Sequence, residues 1–421
     1  MFASPWVLNW SCPDLFLVMR TIRWTIWNFA RVMLVGPRAA GKTTTAARRA
    51  ATVVRLDRPA EAGAFLADPD AALQNLPEPV LLDEWQEVPG IVGAVKRTVD
   101  TDSRPGRFII TGSVRGDIAG ETWPGTGRLV RITLHGMSMR EQTGRADGPA
   151  FFDRIVEGES IGRPSAPPDL RGYVELALQG GFPAAIIGPD RLRERWLESY
   201  VEQLITRDAV EVGGIRDPAR LRRYIQAYAL NSAGTVSDTT LFEAAGLDRK
   251  TAQGYERLLT DLFIVEPLPA WRTNRLQRLT HGPKRYLVDP SLMGAILRAD
   301  SDTVMRDTDL IGRLIDSFVV SQLRAELEVS ESRPRLYHLR EQQGRREVDL
   351  LSEIRGGRIV ACEIKGSASP GASDARHLTW LRDQLGDRFV AGIVFHTGPA
   401  TYALGERITA LPICTLWGQE R

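Results

Sequence analysis

Lysine is scarce in this chain. Of its 54 basic residues only Lys42, Lys96, Lys250, Lys284 and Lys365 are lysines, and the rest are arginines. A chain that writes arginine almost everywhere has a reason for each lysine, and a compact ammonium reaching the phosphates of a nucleotide is one such reason. Cysteine is nearly absent as well. Cys12, Cys362 and Cys414 lie far apart with no C-x-x-C, which argues against a disulfide framework and a zinc site and fits a reducing cytoplasm. No apolar run reaches the roughly 18 residues of a membrane span. The nearest approach, residues 1–33, is rich in Trp, Leu, Ile and Val. Pro5, Pro13, Asp14, Arg20 and Arg23 interrupt it, and it lacks the basic start, apolar core and cleavage site of a secretory signal. It reads as a helix or loop packed against the adjoining domain, with a misassigned start codon or a membrane-facing segment as alternatives. A net charge of +2 excludes a polycation, so any nucleic-acid contact must come from local patches. No internal repeat is visible.

What is present is an ordinary globular composition, 43% apolar and 25% charged, over 421 residues. That length is too great for one core and implies two to three domains. Residues 36–43 read Gly36-Pro37-Arg38-Ala39-Ala40-Gly41-Lys42-Thr43, the G-x-x-x-x-G-K-T loop that cradles phosphates with inward-turned N–H groups. An apolar run, Arg31 to Val35, precedes it as a buried parallel strand would, and residues 43–50 suit a helix whose N-terminus adds positive potential. The nucleotide contacts expected are the whole loop from Gly36 to Thr43, together with Thr44.

Further apolar strands follow at 51–57, 79–83, 107–111 and 128–134, with helices at 60–76 and 90–100 between them. Strands alternating with helices imply a parallel sheet covered on both faces. Residues 142–172 are turn-rich and read as a linker or long loop. From Tyr173 to about Leu268 the pattern is helical. Helices at 237–245 and 248–262, separated by Gly246, are compatible with a helix-turn-helix or winged-helix-like unit and equally with a plain packing bundle. Strands return from Lys284: a short one at 284–289, an amphipathic helix at 311–328, a three-strand meander at 335–340, 347–352 and 358–365, a helix at 372–385 and a last strand at 388–395. The domains expected are an ATPase core over 1–141, a linker over 142–172, a helical lid and winged-helix-like region over 173–283, and a small α/β domain over 284–421.

Asp83 and Glu84 close the 79–83 strand, the place of the second nucleotide motif. Asp83 and the Thr43 hydroxyl would hold Mg²⁺, and Glu84 would polarise the attacking water. A neighbouring glutamate separates hydrolases from phosphate-binding kinases and makes a small-molecule kinase the weaker reading. Thr111 and Ser113 end the strand expected between those of the loop and Asp83, within reach of a γ-phosphate or its water. Arg128 follows Gly125-Thr-Gly127 and is a candidate for stabilising transferred-phosphate charge in its own or a neighbouring subunit, which makes a homo-oligomer a candidate assembly.

With these residues in place, the chain resembles a large prokaryotic family of AAA-type ATPases that carry a C-terminal domain related to restriction-endonuclease folds. The likeness rests on Gly36 to Thr43, Leu81-Leu-Asp-Glu-Trp-Gln86, Ile109-Ile-Thr-Gly-Ser113, Gly180-Gly-Phe-Pro183, Arg207-Asp208, Tyr286-Leu-Val-Asp-Pro290, and Glu347-Val-Asp-Leu with Glu363-Ile-Lys365. It spans about residues 31–400. Gly-Gly-Phe-Pro and Val-Asp-Pro are family markers for which the sequence offers no chemical role, and the Trp-rich start departs from the family. The fold expected is α/β: a P-loop NTPase parallel sheet, a helical or winged-helix-like middle and a C-terminal nuclease-like α/β domain.

Asp349 followed by Glu363-Ile-Lys365 is the D…E-x-K pattern of metal-dependent nucleases. Two residues apart on a strand, Glu363 and Lys365 face one side, and Asp349 on the preceding strand can come opposite. Two carboxylates can hold Mg²⁺ while the lysine serves the attacking water. The resemblance adds Asp316 from the preceding helix, where a glutamate is more usual. His338 and His396 read as packing or surface residues. Two functions stay open: a Mg²⁺-dependent ATPase that binds or acts on DNA, and a nucleotide-dependent switch that binds a protein partner and carries an inactive nuclease-like domain.

Overall fold

The computed structural model describes residues 31–113, 129–162, 164, 166–215, 217–272, 282–341 and 345–418. The expectations for the N-terminal Trp-rich segment and for Arg128 therefore fall outside the described residues. Five parallel strands form the first sheet: β1 (Arg31–Val35), β2 (Thr52–Arg55), β3 (Val80–Asp83), β4 (Phe108–Gly112) and β5 (Val130–Thr133), in the order β2-β3-β4-β1-β5. The apolar runs are continuous because both faces are covered. Met33, Val35, Leu82 and Ile110 pack with Val92 and Val95 of the helix Ile91–Thr101 on one side. Val32, Leu34, Leu81 and Ile109 pack with Ala46 and Ile186 on the other. β4 lies between β1 and β3, so Thr111 reaches the strand ends that carry the phosphate loop and Asp83. The helix expected at 60–76 is two helices, Pro59–Ala67 and Pro69–Leu73. Asp68 stops the first and caps the second, accepting from Asp70 N at 3.1 Å and Ala71 N at 3.0 Å, with Pro69 fixing the new start.

The stretch 142–172 contains a helix, Phe151–Val156, whose two phenylalanines are fully buried. The Phe151 ring lies 5.5 Å from that of Phe395 of the last sheet, tilted by 44°. Six residues are too few to show a period, and the flanking turns hid them. The middle region holds helices Leu170–Gln179, Pro183–Ile187, Asp190–Gln203, Ala209–Gly213, Pro218–Leu230, Asp238–Ala244 and Arg249–Asp261, with a π-turn at Leu204–Asp208. Ser237 and Asp248 cap the two helices expected around Gly246, by bonds to Thr240 N and Thr251 N.

The C-terminal sheet has six strands: β6 (Arg335–Glu341), β7 (Arg346–Glu353), β8 (Ile359–Ile364), β9 (Phe389–His396), β10 (Tyr402–Gly405) and β11 (Ile408–Pro412), in the order β10-β11-β9-β8-β7-β6. The meander β6-β7-β8 is antiparallel as expected, while β8, β9 and β11 are mutually parallel. The sequence pattern makes β9 the last strand, and two more follow it. The strand expected at 284–289 forms only isolated bridges, Leu268 with Lys284 and Val265 with Leu287. The helix Thr308–Ala325 lies against one face of this sheet and Arg376–Leu385 against the other. A single apolar cluster runs from Met139 through the helical region to Trp417, so the middle and last regions share a core.

Candidate functional site

Two clusters of charge are built into the molecule. The first sits at the carboxyl end of the parallel sheet, where Gly36 leaves β1. A Cβ on Gly36 would overlap the Leu134 carbonyl oxygen, so the close approach of the loop to the chain after β5 requires glycine there. The loop wraps into the helix Lys42–Ala47, and Lys42 is buried. Its ammonium donates to the Gly36 carbonyl at 3.0 Å and the Pro37 carbonyl at 2.8 Å. These are neutral oxygens, and burial drives the ammonium down to about 8, with Glu84 and Asp83 opposing the shift and Arg38 adding to it. Thr43 Oγ1 donates to Asp83 Oδ1 at 2.8 Å, and Thr111 donates to the same oxygen. A hydroxyl and a carboxylate in contact at a strand end are the donor set a Mg²⁺ ion takes, so Thr43 and Asp83 fit the metal expected with a bound triphosphate.

Glu84 directly follows β3 in the left-handed region, at φ 54° and ψ 56°. For a residue with a Cβ this conformation costs on the order of 1–3 kcal/mol and collects at working sites. The turn aims the carboxylate at β4: Ser113 Oγ donates to Glu84 Oε2 at 3.2 Å, and Gln86 Nε2 donates to the same oxygen. In the sequence Gln86 stands only as part of a family motif; in the fold it helps hold the candidate base. The structure therefore brings Lys42, Thr43, Asp83, Glu84, Thr111 and Ser113 to one edge.

The helical region covers this edge. Arg38 in the loop pairs with Asp208 of the π-turn, and Tyr200 OH donates to the Arg38 carbonyl at 3.3 Å. Burial lifts the Asp208 carboxyl, with Arg38 pulling against it. A Cβ on Gly41 would meet Pro183 Cγ at 3.6 Å, which places the Gly-Gly-Phe-Pro turn beside the loop. Buried Asp289 holds that turn. Its carboxylate accepts from Gly181 N at 2.8 Å, Ser291 N at 2.9 Å and Ser291 Oγ at 2.6 Å. The two family markers without an evident chemistry are thus halves of one packing seam.

The second cluster lies between the helix Thr308–Ala325 and the strands β7 and β8. Asp316, Asp349, Glu363 and Lys365 do converge, but Lys284 stands among them. Its ammonium donates to Asp316 Oδ2 at 2.6 Å and to Asp349 Oδ1 at 3.1 Å. Tyr286 OH donates to Asp316 Oδ1 at 2.8 Å, and Ile364 N donates to Asp349 Oδ2 at 3.0 Å. Lys365 Nζ reaches Glu363 Oε2 at 3.1 Å. Burial works against the Lys284 charge, and Asp316 and Asp349 overcome it, holding the ammonium well above the ordinary lysine value. Burial raises Asp316 to about 6, with Lys284 pulling against it. Asp349 falls to about 2, because Lys284 and Lys365 outweigh its burial. Burial and the Asp349 charge push Glu363 well up. Among the described residues no three His, Cys, Asp or Glu side chains are disposed to hold a metal ion. Lys284 is a site residue that the sequence motifs do not include; its scarcity as a lysine was the available signal.

The comparisons with known proteins agree with the first cluster and name nothing for the second. Residues 28–143 match the sequence model of an AAA domain. That match and the five-stranded parallel sheet support an AAA-type P-loop nucleotide-binding domain at this end of the chain. Residues 170–303 and 311–416 match two domains of unknown function, DUF8612 and DUF4143. An uncharacterized protein of Mycobacterium tuberculosis is 28% identical over 388 residues, 90% of this chain and 79% of the relative, and one of Mycobacterium bovis is equally similar. An uncharacterized protein of Haemophilus influenzae is 24% identical over 221 residues, half of each chain. Among the described residues no helix is long and apolar enough to cross a membrane.

Proposed function

We propose that this protein binds ATP with Mg²⁺ and hydrolyses it at the carboxyl end of the parallel sheet. The observation that carries the reading is the convergence of Lys42, the Thr43–Asp83 contact and Glu84 on one edge. Lys42 leaves the loop carbonyls for the β- and γ-phosphates, exchanging neutral partners for anionic ones. Mg²⁺, when bound, would neutralise phosphate charge, and Thr43 and Asp83 are the residues that would hold it. Thr111 positions Asp83, while Ser113 and Gln86 hold Glu84 where it can take a proton from water. ATP hydrolysis by wild type, Lys42→Ala and Glu84→Gln tests this: the first variant is expected to lose binding and the second to bind and turn over slowly. Equal turnover by wild type and Glu84→Gln would remove Glu84 as the base.

What the hydrolysis serves has two readings. Exposed Arg249, Lys250 and Arg257 on the second helix of the helix-turn-helix-like pair favour DNA. The Arg38–Asp208 pair favours a nucleotide-dependent switch for a protein partner, because Arg38 faces both the phosphate site and the helical region. DNA binding at low salt, where phosphate contacts are strongest, separates them. Binding that weakens in Lys250→Ala and Arg257→Ala supports the first reading, and its absence at low salt supports the second.

A further inference from the structure

We infer that the acid cluster of Asp316, Asp349 and Glu363 is a cation site that the chain fills with its own ammonium, Lys284 standing where a divalent ion would be held. Three acids from a helix and two adjacent strands face inward, which is the frame of a metal-dependent hydrolase. The residues present do not fit the metal. Lys284 Nζ bridges one oxygen of Asp316 and one of Asp349, at 2.6 and 3.1 Å, and the second oxygen of each is taken by Tyr286 OH and by Ile364 N. All four oxygens already accept a bond, so a metal would have to displace or share these donors and stand beside the ammonium.

The lysine enters from a fixed backbone: Lys284 N donates to Leu268 O at 2.9 Å, and Leu268 N donates to Lys284 O at 2.7 Å. Its side chain is 3% exposed and lies 5.6 Å from the Tyr286 ring. A divalent ion entering the cluster would leave that ammonium buried and unpaired, a cost that the metal's own contacts would have to exceed. Glu363 is 4% exposed, and among the described residues its Oε1 has no hydrogen-bond partner, His377 Nδ1 standing 3.8 Å away, so this oxygen can serve a cation if the ammonium is taken away. The cluster works as a latch. One positive charge ties the bridge at 284–287 to the helix Thr308–Ala325 and to β7, and metal-dependent hydrolysis at this place is closed to the wild-type chain.

Mn²⁺ titration of the full chain, followed by electron paramagnetic resonance, tests this. The titrations are run without nucleotide and in an Asp83→Asn background, so that the phosphate-loop site does not contribute. Wild type at position 284 is expected to show no Mn²⁺ binding that Asp349→Asn removes. Lys284→Ala is expected to gain one site, bound at least tenfold more tightly than anything in its parent and lost again when Asp349→Asn is added. Mn²⁺ binding by the parent that disappears with Asp349→Asn would overturn the inference, as would a folded Lys284→Ala protein that gains none. If Lys284→Ala does not fold, the parent compared with Asp349→Asn still decides, because a native metal site requires Asp349-dependent binding there.

Discussion

Lys42 and Lys284 are both buried and both drawn from a set of five lysines, yet they rest on opposite kinds of oxygen. Lys42 lies on two neutral carbonyls of its own loop, and its ammonium is weakened to about 8. Lys284 lies on two carboxylates, and its ammonium is held well above the ordinary value. A buried cation without an anion gains by acquiring one, whereas a buried cation that already has two opposes any competitor. The same residue type therefore makes one end of the molecule receptive to a charged ligand and the other end closed to it.

That contrast can be broken at several points. Lys284→Ala leaves Asp316 and Asp349 facing each other in a largely buried site and is expected to cost about 3–5 kcal/mol of unfolding free energy in urea. Lys42→Ala, measured the same way, is expected to cost nothing or to stabilise; a loss equal to that of Lys284→Ala would erase the distinction. In nucleotide titration the order reverses: Lys42→Ala is expected to weaken ATP binding by roughly a thousandfold, the scale of losing one partner of a buried charge pair, while a folded Lys284 variant binds normally. Glu84→Gln is expected to slow turnover by about a hundredfold or more with affinity unchanged. Affinity for ATP should also depend on pH through Lys42. The free ammonium loses its proton near 8 and the phosphate-bound one does so higher, so affinity is full below 8 and falls as pH rises through it, by at most about tenfold per unit. The smallest effect is expected for Asp208→Asn. Freeing half-exposed Arg38 for phosphate should tighten ATP binding by about two- to fivefold, as suits a partly solvated pair; no change would leave the pair a packing detail.

The phosphate loop, Asp83 and Glu84 were legible because local order places them: a glycine turn between strand and helix, and acids at the end of an apolar run. The placement of β4 between β1 and β3 also followed from that pattern, whereas the sequence aimed Thr111 at the γ-phosphate and did not show its bond to Asp83. Asp349 and Glu363 of the second cluster were legible for the same reason, lying on adjacent strands of a meander, while Asp316 came only from the family resemblance. Lys284 was not, because isolated bridges position it and its partners lie 32 and 65 residues away. Distance hid Asp208 as well: in the sequence it is half of an Arg-Asp family marker, and only the π-turn aims it at Arg38, 170 residues earlier. β10 and β11 escaped notice because each is only four or five residues long.

The seam around Asp289 has a consequence for taking the protein apart. A Cβ on Gly181 would stand 2.7 Å from the Met137 backbone, and one on Gly180 would overlap Asp289 and Ser291. Three stretches far apart in the chain interlock there with no room for a methyl group. A fragment ending anywhere before residue 289 would present that notch empty beside the phosphate loop. Dissection at the ATPase border would thus report on a damaged nucleotide site, and point substitutions in the whole chain are the sounder instrument.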